Sequence, residues 1–143
     1  MKKPDPGKMA EKAAEDWLKV KSAASISFAY HRLPDARSAR GALASQPADF
    51  QACNKGAFAY LEVKETKQTL RLPKAKVSQW GTLNAWHLAG CASYVLVYRS
   101  ALADWVTLGP AELFNYDDVP ASFPMAALKS YPTAAAALQE IFP

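Results

Sequence analysis

The sequence predicts an α/β fold, in which a mixed β-sheet is flanked by helices. Helix and strand patterns follow one another in the order helix, three strands, helix, two strands, helix. Residues 92–98 form a continuous apolar run, which is typical of a central strand buried on both faces. The chain has 143 residues, half of them hydrophobic, which is enough for a substantial core. We therefore expect a single domain over 1–143.

The first elements are a helix and a strand. A helix is predicted at about 8–24, where apolar residues recur at spacings of three and four, and Trp17 should be buried there. Ile26, Phe28 and Tyr30 alternate with smaller residues, so a strand is predicted at 25–31. At about 34–46 the pattern stops in a polar segment that is longer than most connections. Such an insertion either has a function or is disordered.

Two adjacent strands joined by a tight turn are predicted at 49–66. Asn54 and Gly56 tolerate positive φ, so residues 54–56 can reverse the chain. The alternation after the turn places Glu62 and Lys64 on one face of the second strand. Antiparallel pairing can bring Asp49 opposite them. Two carboxylates and an ammonium group therefore converge.

These three side chains suit the hydrolysis of a phosphodiester. Asp49 and Glu62 offer hard oxygen ligands, and Mg²⁺ takes one or two protein carboxylates together with phosphate oxygens of a substrate. Mn²⁺ is expected to substitute for it. Lys64 can hold or polarise the attacking water or the scissile phosphate. The alternative is that Glu62 and Lys64 form an ordinary solvated charge pair on an exposed strand.

The remaining elements alternate in the same way. A second helix is predicted from residue 73 or 74 to 89, with Gly90 as its stop, and His87 on it should be structural. The apolar strand at 92–98 is followed by a neighbouring strand at 104–108. A short helix at 110–114, a Pro-containing loop at 115–132 and a terminal helix at 133–142 complete the chain.

The charge is unevenly distributed along the sequence. The net charge is +4, but residues 1–80 hold fifteen basic and eight acidic side chains, whereas residues 81–143 hold two and five. A basic half that also contains the three converging residues is typical of an enzyme acting on a polyanion. An excess of Lys on a solvated face would give the same count.

Cysteines and apolar stretches place further limits. Cys53 and Cys91 are too few for a disulfide framework and should be reduced core thiols. The first residues lack an apolar signal region, and no run approaches the roughly 20 apolar residues that span a bilayer. We therefore expect a cytoplasmic protein without a membrane partner.

The motifs resemble those of a nuclease superfamily. Pro47 and Asp49, followed after twelve residues by Glu62-x-Lys64, resemble the PD-(D/E)XK pattern. The run FAYLEVKETK at 58–67 is similar to the core of RecU-type Holliday-junction resolvases. The Gly-x-x-x-Glu spacing of Gly7 and Glu11 matches the first helix of RecU-type and archaeal resolvases. The resemblance extends over nearly the whole chain, but TLRL at 69–72 replaces a Ser-Phe-Pro-Leu run, so local substrate contacts can differ.

This resemblance implies a restriction-endonuclease-like core, a homodimer and branched DNA as the substrate. It implies that Asp49, Glu62 and Glu11 hold the metal, that Lys64 is catalytic, and that Glu15 is the fallback for Glu11. The insertion at 34–46 corresponds to a shortened form of the stalk that enters the junction. The small size and short stalk favour a phage-encoded member acting in the host cytoplasm. The expected nucleic-acid contacts are Arg37, Arg40, Lys67, Arg71, Lys74, Lys76 and Gln79.

Two other functions are compatible with the same residues. A non-catalytic DNA-binding accessory of recombination or replication would retain the fold without cutting. A PD-(D/E)XK nuclease acting on ordinary duplex would cut linear DNA as well as junctions. Cleavage of a four-way junction beside a matched linear duplex separates the three possibilities.

Overall fold

The structure, a computed structural model, describes residues 3–34 and 46–143. The helices are α1 (Pro6–Ala24), α2 (Trp80–Leu88), α3 (Pro110–Phe114) and α4 (Ala134–Ile141), with a 3-10 turn at Lys74–Lys76. The strands are β1 (Phe28–Arg32), β2 (Phe50–Asn54), β3 (Ala57–Thr66), β4 (Arg71–Pro73), β5 (Ala92–Arg99), β6 (Asp104–Leu108) and β7 (Ser122–Pro124).

Five strands form one mixed sheet in the order β1-β2-β3-β5-β6. The central strands β3 and β5 are parallel, and the other neighbours in this sheet are antiparallel. A parallel pair needs a long crossover, which the segment containing α2 supplies. The strands β4 and β7 form a separate two-stranded antiparallel sheet. The predicted fold class, a mixed sheet flanked by helices, is confirmed.

Each face of the five-stranded sheet has its own hydrophobic core. On one face, α1 packs over Ala59, Leu61 and Val63 of β3, and α4 packs beside it over β5 and β6. On the other face, Tyr60 of β3 and its neighbours on β5 and β6 pack with residues of α2, α3 and the small sheet. The middle of β3 is therefore buried on both faces, where an ionised side chain is costly. Glu62 lies in this stretch.

The turn between β2 and β3 sets the register of the hairpin. Lys55 and Gly56 have φ values of 53° and 87°, as in a type I′ turn, in which both central residues have positive φ. The expectation that Asn54 is a central turn residue is wrong, because Asn54 ends β2 and pairs with Ala57. The pairing continues to the far end of β2, where Phe50 lies opposite Leu61.

Two predicted boundaries at the ends of strands and helices are wrong. The first strand begins at Phe28, and Ile26 stays outside it with 110% relative exposure, because a turn bonds the Phe28 N–H to the Ser25 carbonyl. The second helix begins at Trp80 and not at residue 73 or 74. Residues 71–73 pair with β7 instead, and the Lys74 N–H donates to the Ala121 carbonyl at 2.8 Å.

The predictions for single aromatic and cysteine residues are confirmed only in part. Trp17 is half-buried and not fully buried, and its ring lies against aromatic rings of β1 and the carboxyl terminus. The structural role predicted for His87 is confirmed, since its ring stacks on Phe114 at 4.6 Å. Cys53 and Cys91 are free thiols, as expected, but both are partly exposed and not core residues.

Most of the insertion at 34–46, including Arg37 and Arg40, lies outside the described residues. In the described ranges, no helix combines the length and apolar character that crossing a membrane requires.

Candidate active site

The hairpin register brings the predicted metal ligands to one face of the sheet. Phe50 pairs with Leu61, so the residue before Phe50 comes opposite the residue after Leu61. These residues are Asp49 and Glu62, and directly opposed residues of an antiparallel pair share a face. Lys64 lies two positions beyond Glu62 and shares that face. The group predicted from the period of two is therefore assembled.

Glu62 is the most buried member of this group. Its relative exposure is 1%, and its Oε2 is buried without a hydrogen-bond partner among the described residues. Its Oε1 lies 3.8 Å from the Nζ of Lys64, which is 23% exposed. Removal of a carboxylate from water costs several kcal/mol unless charge and hydrogen bonds compensate it. One lysine at this distance leaves part of that cost uncompensated, so a further positive charge beside Glu62 would lower it.

Asp49 is held in place by the backbone. The N–H of Val63 donates to its Oδ2 at 2.8 Å, and the N–H of Leu33 donates to its carbonyl oxygen at 2.8 Å. The first bond fixes one carboxylate oxygen against β3, and the second ties the start of β2 to the end of β1. Asp49 is therefore a carboxylate whose position is fixed by the backbone of two strands.

Glu11 reaches the same group from the first helix. Burial raises its pKa from 4.5 to about 7, and the adjacent carboxylate of Asp49 contributes in the same direction, against the opposing effects of Arg32 and Lys64. Burial and the adjacent Asp49 likewise raise the pKa of Glu62, to about 10. Asp49 thus lies between two carboxyl groups that resist ionisation in its presence. A proton or a cation bound between them would relieve the repulsion.

Glu15, the alternative to Glu11 as the acid from the first helix, pairs with Arg32 and not with Asp49. Its Oε1 accepts from the Nη1 of Arg32 at 2.9 Å, while the Nη2 of Arg32 lies 3.9 Å from the Oε2 of Glu11. The Arg32 guanidinium also lies over the ring of Phe50 at 5.6 Å. Of the two acids, Glu11 is therefore the one whose carboxyl interacts with Asp49, and Arg32 links both acids to the end of β1.

The donor set fits a Mg²⁺ ion that a substrate helps to bind. Across residues 3–34 and 46–143, no three His, Cys, Asp or Glu side chains are arranged to enclose a metal ion by themselves. Mg²⁺ does not need such a cage, because it keeps several waters and takes only one or two carboxylates beside phosphate oxygens. Glu62, through its partnerless Oε2, and the neighbouring Asp49 would give this kind of ion its two carboxylates.

Glu11→Gln is expected to weaken the pH dependence of stability in the metal-free protein. The folded-state pKa of Glu11, about 7, lies above its ordinary value of 4.5. The folded protein therefore binds more protons than the unfolded chain in this window, and stability falls as pH rises through it. Gln does not titrate, so the variant should lose less stability between about pH 5 and pH 7 in thermal unfolding. Glu140→Gln is the control, because Glu140 is 60% exposed and pairs with Lys129. Parallel curves for Glu11→Gln and the wild type would contradict the raised pKa.

The predicted nucleic-acid contacts lie on several elements. Arg71 donates from Nε to the Ser122 Oγ at 2.7 Å and from Nη2 to the Ser122 carbonyl at 2.9 Å, so it holds the small sheet together. Lys74 lies over the ring of Trp80 at 4.8 Å. Gln79 precedes α2 and accepts from Ser78.

Lys67 and Lys76 are exposed, and Lys76 lines a cavity together with Glu11 and Lys64. Among the predicted contacts that lie within residues 3–34 and 46–143, Lys76 therefore shares a cavity with Glu11, a member of the carboxylate group.

Sequence reasoning missed Arg32 and Lys8 as members of this neighbourhood. Arg32 ends β1 beside Glu11, and Lys8 lines the same cavity as Lys76. The spacing of three between Lys8 and Glu11 was an available signal, since it places both on one side of α1. The position of Arg32 depends on the packing of α1 across the sheet, which has no local signal.

No protein-family model matches the sequence, and no curated protein matches it at a significant level. Among solved structures, the chain is similar to Hjc of Archaeoglobus fulgidus, a Holliday junction resolvase from an archaeal hyperthermophile. The two share 23% sequence identity with a TM-score of 0.47, over 80% of this chain and 86% of that chain.

Proposed function

We propose that the protein is a Mg²⁺-dependent endodeoxyribonuclease of the RecU type that resolves four-way DNA junctions. The observation that supports this function best is the convergence of Asp49, Glu62 and Lys64 around a buried carboxylate oxygen that has no partner among the described residues. Structural ion pairs in protein cores normally have their remaining oxygens satisfied by hydrogen bonds. A carboxylate without that satisfaction, beside another carboxylate, is typical of a site that awaits a cation.

The chemistry of the site is phosphodiester hydrolysis. Asp49 and Glu62 would hold Mg²⁺, for which Mn²⁺ can substitute, and Glu11 would add negative charge next to them. When bound, the ion supplies positive charge to the phosphate and acidifies water. Lys64 places its ammonium group 3.8 Å from the Oε1 of Glu62, where it would orient the attacking water or neutralise the scissile phosphate. The reaction adds water across a P–O bond and requires no covalent nucleophile from the protein.

The preference for junctions is supported by the sequence resemblance. The run at 58–67 and the Gly7 to Glu11 spacing resemble those of RecU-type resolvases, and the insertion at 34–46 occupies the position of their stalk. Fifteen basic side chains among residues 1–80 supply the positive charge that phosphate binding needs. Arg37 and Arg40 belong to this proposal as contacts of the stalk with the junction.

The deciding experiment compares two labelled substrates in Mg²⁺. A four-way junction and a linear duplex of the same sequence are incubated with the protein, and the products are separated on a denaturing gel. Paired nicks in opposed junction strands, without cuts in the duplex, are the expected result. Equal cutting of both substrates would favour a duplex nuclease. Tight junction binding without any cutting, in Mg²⁺ or Mn²⁺, would favour a DNA-binding accessory.

We expect the protein to act as a homodimer. A four-way junction has two opposed strands to cut, and a two-fold pair of active sites is the simplest arrangement that reaches both. Sedimentation at micromolar concentration should give about twice the chain mass of 15.6 kDa. A monomer that stays monomeric with junction DNA present would leave paired incision unexplained.

A further inference from the structure

A cavity of about 360 Å³ adjoins the candidate active site between α1, β3 and the 3-10 turn. Three ammonium groups line it, each from a different element, and these are Lys8, Lys64 and Lys76. Three acids also line it, and these are Asp5, Glu11 and Glu65. The formal charges balance, so the character of the cavity depends on which groups already have partners.

Two of the three acids are engaged in hydrogen bonds of the fold. The Oδ1 of Asp5 accepts from the N–H of Gly7 at 2.8 Å and from the N–H of Lys8 at 3.4 Å, which caps α1. The Oε1 of Glu65 accepts from the Ser100 Oγ at 2.7 Å. Their negative charge is therefore partly offset by these donors, and Glu11 belongs to the carboxylate group beside Asp49.

The two outer lysines have no such partners. Lys8 and Lys76 are exposed, and neither side chain forms an ion pair or hydrogen bond within residues 3–34 and 46–143. Some other lysines are engaged, since Lys12 pairs with Asp16 at 2.8 Å and Lys74 lies over Trp80. Lys8 and Lys76 differ from the remaining exposed lysines of the described ranges in lining this cavity beside Lys64. Lys8 also lies in the first turn of α1, where the helix dipole disfavours a cation. Neither local helix stability nor an ion pair explains why an ammonium group is placed there.

We infer that Lys8 and Lys76 together bind the backbone phosphate next to the one that is cut, and so position the strand. The inference rests on the proposed nuclease function, because it takes Lys64, which lines this cavity and lies 3.8 Å from Glu62, as the contact of the scissile phosphate. Phosphates follow one another at about 3.4 Å of helix axis along each strand, so a neighbouring phosphate falls within a cavity of this size. Lys8 and Lys76 are positioning residues that leave the reacting atoms to Asp49, Glu62 and Lys64.

The test compares Lys8→Ala and Lys76→Ala with Lys55→Ala. Lys55 is exposed at the turn between β2 and β3, away from the cavity, and serves as the matched control. Binding to the junction is measured in metal-free buffer at several salt concentrations. Each cavity variant should reduce the slope of log K against log salt by about one, and Lys55→Ala should leave it unchanged. Lys8→Arg should keep most of the wild-type slope that Lys8→Ala loses, because arginine keeps the positive charge.

A second measurement locates the contacted phosphate. Junctions carrying one uncharged methylphosphonate, placed at each position around the cut site in turn, are bound and cut by the wild type and by both variants. At the position next to the scissile phosphate, the modification should weaken wild-type binding several-fold and have little further effect on either variant. Equal effects of the modification on wild type and variants at every position would overturn the assignment, as would unchanged salt slopes.

Different results would contradict the role of Lys8 and Lys76 and the nuclease function. A wild type that cuts junctions, with variants that show wild-type slopes and no phosphate coupling, would overturn the role of Lys8 and Lys76 and leave the nuclease function standing. A wild type that cuts no DNA in Mg²⁺ or Mn²⁺ would remove the nuclease function and this inference with it.

Discussion

Asp49→Asn is expected to lower junction cleavage by at least about 10²-fold while junction binding in metal-free buffer is retained. Asparagine has the shape of aspartate, and its amide oxygen can still accept from the Val63 N–H, which now bonds Oδ2 at 2.8 Å. The substitution removes one negative charge from the group, so affinity for the cation falls. Single-turnover cleavage and a binding titration, both on the same junction, measure the two effects separately.

The control for this variant is Asp118→Asn. Asp118 is exposed in the loop before β7, and the same chemical change there should leave cleavage unaffected. Loss of folding is checked by thermal unfolding of each variant. Full cleavage by Asp49→Asn would remove Asp49 from the metal site, and loss of cleavage in both variants would point to an effect that is not specific to the site.

The core of the site was predictable because its members are close in sequence. A tight turn and a strand period of two are local features, and together they place Asp49, Glu62 and Lys64 on one face. The extreme burial of Glu62 was not predictable from the hairpin, because it depends on β5 lying beside β3 and on the layer that covers it. The sequence therefore predicted which residues converge. The structure shows in addition that the Glu62 side chain is almost fully excluded from water.

The contribution of α1 was harder to predict. Glu11 and Glu15 are one helical turn apart, so periodicity places both on one side and does not choose between them. The choice depends on how α1 crosses the sheet, which brings Glu11 to Asp49 and pairs Glu15 with Arg32. Only the Gly-x-x-x-Glu resemblance favoured Glu11, and its catalytic role stays a prediction.

The small sheet and the start of α2 were missed for a related reason. The strands β4 and β7 have three residues each, and each contains a proline, which is typical of loops and sheet edges. Their pairing joins segments about fifty residues apart, so no local pattern announces it. The backbone of residues 71–74 is hydrogen-bonded to residues 121–124. The second helix therefore cannot begin at residue 73 or 74, where its sequence predicted the start.

A buried acid whose charge is only partly compensated destabilises the protein that carries it. Burial and the neighbouring Asp49 raise the pKa of Glu62, and the ammonium group of Lys64 opposes the shift only in part. Functional sites often keep such a cost because the same charge binds the ligand. The stability and the cleavage activity of this protein should therefore respond in opposite directions to the loss of the Glu62 charge.

Glu62→Gln is expected to make the metal-free protein more stable, by an amount that grows with pH, and to abolish cleavage. The folded-state pKa of Glu62 lies near 10, above the ordinary 4.5. In the wild type, the stability linked to this proton is full below about pH 4.5 and is lost progressively as pH rises towards the folded value. Gln does not titrate, and its amide can donate to Asp49, so the gain should grow by up to about 1.4 kcal/mol for each pH unit between pH 5 and pH 8.

Urea unfolding at about pH 5, 6.5 and 8, with and without Mg²⁺, measures this gain. Mg²⁺ should stabilise the wild type more at pH 8 than at pH 5, because the ion binds ionised carboxylates, and it should stabilise Glu62→Gln little at either pH. Glu140→Gln, on an exposed carboxyl, should stay within about 0.5 kcal/mol of the wild type throughout. A Glu62→Gln protein that is less stable than the wild type at pH 8 would show that Lys64 compensates the buried charge. The Oε2 of Glu62 would then belong to a structural ion pair, and the main support for a cation site would be lost.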